Sequence, residues 1–408
     1  MIYCLIVYCI VMLIIGLGCS KNNIFSPSVM TATIWLGCLC LFIGLDHNLP
    51  NLNTTFLLSN FLWISGLCFS SLIIQSATFP NQGLNEPNPL IRNLFLILSV
   101  LYFPSLLEFA RTAIAIGGTG SWAMNLRLAA LGKITGFDEP YGGIEVVIWQ
   151  VSFLLELLQF KKEKWWRLAL ISFIYLSFGF LTMAKVIFMN FFLFSCCVLY
   201  FKQIIKMKHI LMGISLLLIF FFGLQSLRQT IKFSDVHDDF FVTYILSNMS
   251  AFDTLQPDTS EHWGENTFRF IYAFAYKMGL SEIEPVDTLL KWIYKPVMTN
   301  TYSGMYPFFV DFGYWGVFIF SMILGSIYGW AFRKAQMGNN FHILLYAIFL
   351  NMIFMQYAAE MFFTNFAGYI KLIGCLFIVF YAERFIMQWI TWSKNKLQSI
   401  DKNYKINN

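Results

Sequence analysis

Two histidines flanked by carboxylates are the side chains in this sequence best suited to acid–base chemistry. His237 lies in the run Asp-Val-His-Asp-Asp, and His262 lies in Glu-His-Trp-Gly-Glu. An imidazole beside a carboxylate is suited to general-base catalysis, although either histidine could equally be a solvated loop residue. Asp311 is a third candidate base, because a carboxylate inside an apolar segment needs a cavity or a partner.

Basic residues also collect at the predicted outer ends of apolar segments, where an anion could bind: Arg111, Arg127, Lys185 and Arg228. A guanidinium group can hold two anionic oxygens at once, which suits a pyrophosphate. Two of these residues have a structural alternative. Arg111 can pair with Glu108 along one helix surface, and Lys185 can extend its ammonium group to the membrane surface.

The sequence carries no motif for a nucleotide, a metal or a disulfide. The glycine-rich run at 117–121 lacks both the preceding strand and the Lys-Ser/Thr ending of a phosphate-binding loop. The nine cysteines lie within or at the ends of apolar segments and lack zinc-type spacing. Asp238 and Asp239 have no spaced set of oxygen ligands around them. We therefore predict no cofactor and no metal.

Composition identifies the elements that must position these residues. Of the 408 residues, 58% are hydrophobic and 12% are charged, about half the charged fraction of soluble domains. Long apolar segments of roughly 20 residues predict transmembrane helices, whereas a β-barrel shows alternating segments of about ten. We predict an all-α polytopic membrane protein with 11 or 12 spans, at about 2–18, 28–46, 56–77, 91–110, 142–160, 166–183, 186–201, 208–226, 306–332, 341–360 and 367–390.

A long polar segment divides these spans into two groups. Residues 1–226 form an N-terminal bundle of about eight spans, and 227–305 form a large loop. Residues 306–390 form about three further spans, and 391–408 a basic tail. Loops of this length are usually functional.

Lysine and arginine in the short connectors set the predicted orientation. The connectors after 160, 201 and 332 and the tail are basic, which places them in the cytoplasm. Residues 111–141 and 227–305 then face outward. Within the large loop, 240–255 and 266–278 have the spacing of short amphipathic helices that lie on the bilayer or cap the bundle.

The most specific stretch of the sequence runs from Asn300 to Gly316. It resembles a pattern of the Wzy-type oligosaccharide repeat-unit polymerases, in which Asn-x-Tyr-Thr/Ser is followed by Pro-aromatic-aromatic-x-Asp-Phe-Gly-x-x-Gly. The matching residues are Asn300, Tyr302, Ser303, Pro307, Phe308, Phe309, Asp311, Phe312, Gly313 and Gly316. The turn at 182–185 resembles a family hairpin in which a basic residue follows small ones. Tyr306 departs from the pattern, since many relatives have arginine there.

The resemblance implies a metal-independent glycosyltransferase in the bacterial inner membrane, with its active face in the periplasm. The implied substrate is an undecaprenyl-pyrophosphate-linked oligosaccharide, whose glycan is transferred onto a lipid-linked repeat unit to build O-antigen or capsular polysaccharide. Arg127, Lys185 and Arg228 would stabilise the leaving pyrophosphate, with Arg111 nearby. His262, His237 or Asp311 would act as base, and Asn300 and Tyr302 would contact substrate. The implied partners are this lipid-linked glycan and the bilayer, with no nucleic acid; a chain-length regulator protein is left open.

Two other functions are compatible with this layout. An O-antigen ligase would transfer the glycan to lipid A core instead of to a second repeat unit. A flippase or other transporter of lipid-linked oligosaccharides would also be polytopic with intramembrane cations. Transporters usually show repeat symmetry and short loops, and neither occurs in this sequence, so we favour the polymerase.

Overall fold

The computed structural model describes residues 1–80, 85–116, 121–134, 136–137, 141–206, 208–210, 212–213, 242–287, 290–294 and 298–383. Two of the predicted site residues, Arg228 and His237, lie outside the described residues. Most of the predicted eighth span at 208–226 and the whole tail at 391–408 also lie outside them.

Helices form most of the regular structure in the described part of the chain. The first half forms α1 (Ile2–Cys19), α2 (Pro27–Gly44), α3 (Thr54–Ser76), α4 (Pro89–Ile116), α5 (Trp122–Ala130), α6 (Ile144–Leu158), α7 (Trp165–Leu181) and α8 (Lys185–Phe201). A short 3₁₀ turn at Lys162–Lys164 precedes α7. Helix α2 begins at Pro27. Proline is favourable there, because the amide groups of the first helical turn have no acceptor within the helix.

The large loop contains short elements where amphipathic helices were predicted. A π-helical turn at Val242–Leu246 leads into α9 (Ser247–Phe252), and α10 (Arg269–Lys277) follows. Two-residue strands β1 (Ile293–Tyr294) and β2 (Met298–Thr299) pair antiparallel, with Ile293 opposite Thr299. The remaining helices are α11 (Tyr306–Gln336), α12 (Asn340–Met355) and α13 (Phe366–Glu383).

Six helices of the described chain are long and apolar enough to cross a membrane: α1, α2, α3, α4, α11 and α13. Helices α8 and α12 are apolar but shorter, and α6 has only 15 residues, fewer than the roughly 20 that a span needs. The described residues therefore fit the all-α class and are compatible with a multi-pass membrane protein. The number of about 11 spans stays a prediction.

The chain forms two compact units. Unit 1 comprises Met1–Asn81 and Lys185–Tyr369, and unit 2 comprises Gln82–Ala184 and Ile370–Asn408. The large loop therefore groups with the first three helices and with α11 and α12. The domain boundaries predicted at 226 and 305 mark where the sequence changes between apolar and polar, and they stay predictions.

In unit 1, α3 and α11 approach so closely that the contact requires glycine. Gly325 and Gly329 are four residues apart on α11, the spacing that lets membrane helices bring their backbones together. A Cβ atom at Gly325 would lie 2.4 Å from the carbonyl oxygen of Leu67, and one at Gly329 would lie 2.7 Å from that of Ser71. Both separations are too short for any side chain, so backbone packs against backbone.

A buried glutamine joins three further elements of unit 1. The Gln356 side-chain oxygen accepts hydrogen bonds from the indole nitrogens of Trp35 on α2, at 3.1 Å, and Trp63 on α3, at 2.7 Å. Its amide nitrogen donates to the Thr31 hydroxyl at 3.2 Å. A buried polar group is costly unless it is hydrogen-bonded, so this satisfied amide fixes the C-terminal end of α12 against α2 and α3.

Gly313 divides α11 into two helical segments. Its backbone, at φ 60° and ψ −149°, is not helical, and this conformation is essentially open only to glycine. The rings of Phe308 and Phe320 stack with centroids 4.7 Å apart, although twelve residues of straight helix would separate them by about 18 Å. Residues 306–312 therefore fold back against 314–320, and the span predicted as one helix over 306–332 is bent sharply near its start.

Gly316 provides the space for this bend. A Cβ atom added to Gly316 would lie 2.4 Å from the carbonyl oxygen of Phe308. The two glycines of the Asp-Phe-Gly-x-x-Gly run thus have separate roles, since one makes the turn and the other accepts the returning segment. We call the segment 306–316 the elbow.

In unit 2, a buried ion pair joins α6 to α7. Arg167 donates to the carboxylate of Glu156 from Nε at 2.9 Å and from Nη2 at 2.6 Å, and Nη2 also donates to Asn93. Arg92 adds a second cation 3.5 Å from the same carboxylate. Arg167, one of the basic residues near the predicted cytoplasmic turn after α6, is therefore bound to a buried carboxylate. Removing either partner would leave an uncompensated charge.

Replacing Gly325 by alanine should destabilise unit 1, because the added Cβ would overlap the α3 backbone. We expect a loss of about 1–3 kcal/mol, measured as a lower unfolding temperature of the detergent-solubilised protein. Gly37 on α2 is the matched control, since a Cβ there meets nothing within 4 Å. Gly37→Ala should keep or raise the unfolding temperature, because alanine is the better helix former. Equal behaviour of the two variants would contradict the close packing.

Candidate functional site

Asp311, in the elbow, holds part of the large loop by hydrogen bonds. Its Oδ1 accepts from the Asn266 side-chain amide at 2.8 Å, from the Asn266 backbone amide at 3.3 Å and from the Ser260 hydroxyl. Its Oδ2 accepts from the Thr267 backbone amide at 2.6 Å. The residue is only 4% exposed. Four donors occupy this carboxylate, an arrangement that fits a positioning role, and its expected role as a general base stays a prediction.

Backbone hydrogen bonds reinforce the same junction. The amide of Asp258 donates to the carbonyl oxygen of Phe309 at 3.2 Å, and the amide of Thr259 donates to that of Val310 at 2.8 Å. Carbonyl groups in the last turn of a helix have no partner within the helix. Because the helical segment ends at Gly313, these carbonyls are open to the loop.

Asp253 attaches the loop to unit 1 at a second place. Its carboxylate accepts hydrogen bonds from the backbone amides of Asn53, at 2.7 Å, and Phe56, at 3.0 Å. These amides lie at the N-terminus of α3, one at the N-cap residue and one in the first turn, where an anionic acceptor satisfies unpaired donors and the helix dipole. The described residues of the loop are thus fixed at both α3 and the elbow.

A cavity of about 250 Å³ lies between the loop, the elbow and the connector 356–365 that joins α12 to α13. All of its lining residues belong to unit 1. Neutral polar side chains make up much of the wall: Asn266, Asn300, Thr301, Ser303, Thr364 and Asn365. Apolar side chains, among them Val286, Leu290 and Pro307, complete it. We call this space the loop cavity.

Arg269, at the start of α10, is the one cation among the described residues that line the loop cavity. Its Nε donates to the carbonyl oxygen of Val286 at 2.6 Å, while its two terminal nitrogens make no hydrogen bond to any described residue. Burial lowers the pKa of Arg269, and the charge of Asp287 opposes that change. A guanidinium group stays charged at neutral pH despite such a shift. The terminal nitrogens can therefore donate to a ligand.

Glu360 forms another part of the wall, but its carboxylate is already in use. It accepts hydrogen bonds from the backbone amides of Phe362, Phe363 and Thr364, at 2.7–2.9 Å, and from the Thr364 hydroxyl. Burial raises the pKa of Glu360 above its ordinary value, although these hydrogen bonds oppose the change. The Glu360 carboxylate orders the connector that leads into α13. Asp287, in contrast, makes no side-chain hydrogen bond to the described residues.

Of the predicted substrate-binding residues, Asn300 lines the loop cavity and Tyr302 does not. The amide of Asn300 makes no hydrogen bond within the described chain and is available to a ligand. Tyr302 is only 4% exposed, and its hydroxyl donates to the carbonyl oxygen of Lys291 at 2.8 Å. This tyrosine therefore supports the loop behind the cavity, and its expected contact with substrate stays a prediction.

His262 lies apart from the cavity lining. Its Nδ1 is 3.4 Å from a carboxylate oxygen of Glu265, and the side chain is partly exposed. The flanking carboxylate that made it a candidate base is thus in contact with it, through Glu265. The predicted role of His262 as a general base stays a prediction.

The predicted cations are distributed over both units. Lys185 begins α8 in unit 1, with its ammonium nitrogen 4.3 Å from the ring centroid of Tyr244. Arg111 and Arg127 belong to unit 2, where Arg111 is exposed and Arg127 is half-buried. Glu108 and Arg111 form no ion pair in the described structure. With Arg228 outside the described residues, the pyrophosphate clamp stays a prediction.

Sequence reasoning missed the three ionisable residues among the described lining of the cavity: Arg269, Asp287 and Glu360. A signal existed for Arg269, because it lies in the predicted amphipathic helix at 266–278 on a face other than the apolar one. Glu360 sits at the predicted end of a span, and Asp287 lies in an irregular part of the loop, so neither had a distinguishing pattern.

Comparison with known proteins gave no match. No protein-family model matches this chain, and no curated protein or solved structure matches it significantly.

Replacing Asp311 by asparagine should release the loop from the elbow. Asparagine offers one acceptor oxygen and turns an amide toward the donors of the loop, and hydrogen bonds to a charged group contribute roughly 1.5–3 kcal/mol. We expect trypsin to cleave after Arg269 about tenfold faster or more, since cleavage follows the population of the open form.

Asp258→Asn is the control for that experiment. Asp258 is exposed, its side chain makes no hydrogen bond in the described residues, and its φ of 54° suits asparagine. Its cleavage rate should equal that of the unmodified protein. An unchanged rate in Asp311→Asn would mean that the carboxylate does not hold the loop.

Proposed function

We propose that this chain is a membrane glycosyltransferase that polymerises undecaprenyl-pyrophosphate-linked oligosaccharide repeat units at the outer face of the bacterial inner membrane. The observation that carries the proposal is the loop cavity. Its wall includes Asn300, Ser303 and Pro307, which belong to the stretch that resembles the polymerases. The resemblance and the polar cavity thus point to the same place in the chain.

The arrangement of unit 1 supports a substrate that is part lipid and part sugar. Apolar helices of spanning length lie next to a polar cavity covered by the loop. A polyprenyl chain can stay in the hydrocarbon while its glycan reaches the polar cavity. Holding both reactants in place in this way converts an encounter in solution into a reaction between oriented groups.

The proposed reaction moves a glycan between two lipid carriers. A hydroxyl of the acceptor repeat unit attacks the anomeric carbon of the donor glycan, forming a new C–O bond. The bond from that carbon to the pyrophosphate oxygen breaks, and undecaprenyl pyrophosphate leaves with both electrons. The hydroxyl proton passes to a base within hydrogen-bond reach.

Fixed positive charge is needed where the pyrophosphate leaves. Arg127, Lys185 and Arg228 are the proposed source, with Arg111 as a further candidate. For the base, Asp287 joins His262, His237 and Asp311 as a candidate, because it lines the cavity and its side chain makes no hydrogen bond in the described chain.

Deletion of the gene followed by glycan profiling tests the proposed function. Loss of a polymerase should leave single repeat units on the core or on the lipid carrier, and the intact gene should restore long chains. Complete absence of glycan from the core would indicate a ligase, and repeat units held on the cytoplasmic side would indicate a transporter. Either of these profiles, or normal chain length, would contradict the proposal.

A further inference from the structure

We propose that the loop cavity is the subsite for one neutral sugar of the acceptor repeat unit, and that the donor pyrophosphate binds elsewhere. This inference rests on the proposed function and assigns one part of the substrate to one set of residues: Arg269, Asp287 and Asn300.

The charged groups of the described cavity wall disfavour a pyrophosphate. Among the described lining residues, Arg269 is the one cation, and Asp287 and Glu360 bring two carboxyl groups to the same wall, so these residues carry no excess of positive charge. A pyrophosphate ester brings further negative charge, and repulsion between like charges is strong in a partly desolvated site. The same repulsion disfavours a uronic acid or another acidic sugar.

The size of the cavity matches a small polar group. At about 250 Å³ it is below the roughly 300–1,000 Å³ of pockets that enclose a drug-sized ligand. A polyprenyl pyrophosphate with its glycan is far larger than that. The cavity therefore holds a fraction of the substrate, on the scale of one sugar ring.

The free polar groups match the hydroxyls of a neutral sugar. The terminal nitrogens of Arg269 donate, the carboxylate of Asp287 accepts, and the amide of Asn300 does both. A sugar hydroxyl also donates and accepts, so such a ring can satisfy all three residues. Val286, Leu290 and Pro307 offer apolar surface for the C–H face of the ring.

The acceptor, and not the donor, fits this subsite. The donor sugar is attached directly to pyrophosphate and must sit beside the cations that stabilise the leaving group. The attacking hydroxyl needs a base instead. Asp287 is an exposed acid that lines the cavity, so the sugar bound there carries the attacking hydroxyl.

Binding of the free glycan to the purified full-length protein tests the inference. The probe is the oligosaccharide released by mild acid from the lipid-linked intermediates of the deletion strain, observed by saturation-transfer NMR. We expect transfer to sugar ring protons, with no displacement by inorganic pyrophosphate. Asn300→Ala and Arg269→Gln should each raise the dissociation constant about tenfold.

Lys277→Gln is the matched control, because Lys277 is exposed on the same helix as Arg269 and does not line the cavity. It should leave binding unchanged. Asn300→Ala removes a side chain without a hydrogen bond in the described structure, so it tests binding even where Arg269→Gln disturbs the fold. Unfolding temperatures measured in parallel identify such a disturbance.

Two results would overturn the inference. One is displacement of the glycan by pyrophosphate, and the other is the absence of glycan binding that depends on Asn300. Its failure is distinct from that of the proposed function. A deletion strain with normal polysaccharide would refute the polymerase, whereas loss of polymer combined with Asn300-independent binding would refute only this subsite.

Discussion

The hydrogen bonds that Asp311 accepts are the interaction on which the rest of the described site depends. A single buried carboxylate joins the elbow to Ser260, Asn266 and Thr267 of the loop. Hydrogen bonds to an ionised acceptor are stronger than neutral ones, and a charge deprived of them in a buried site is costly. Without these contacts, the loop would lose its fixed position over the cavity, and Asn266 and Arg269 would no longer face the connector.

The elbow gives the Asp-Phe-Gly-x-x-Gly run a structural role at the predicted membrane boundary of α11. Irregular backbone near the hydrocarbon is tolerated only where other groups satisfy its amides and carbonyls. Gly313 makes the turn and Gly316 allows the close return of Phe308. The carbonyls freed by the turn accept amides of the loop. Asp311, Gly313 and Gly316 of this run therefore each have a structural role in the elbow.

Part of this arrangement could be predicted from the sequence. Apolar segments located α1 to α4 closely, and an intramembrane carboxylate at Asp311 indicated a need for partners. The identity of those partners could not be predicted, because Asn266 and Thr267 are distant in sequence and two of their donors are backbone amides. Asn300 was identified through the family-like stretch. Tyr302 belongs to the same stretch, but its burial depends on how β2 and the loop pack, which no local pattern encodes.

Amide hydrogen exchange of the unmodified protein tests the anchored loop most directly. Peptides that report on Thr259 and Thr267 should exchange slowly, because the amides of these residues donate to Val310 and Asp311 and open only when the junction opens. We expect protection at these amides comparable to that of helical amides in α3. Exchange at the rate of an unstructured peptide would show that the loop is not held by the elbow. The loop cavity would then lack a fixed wall.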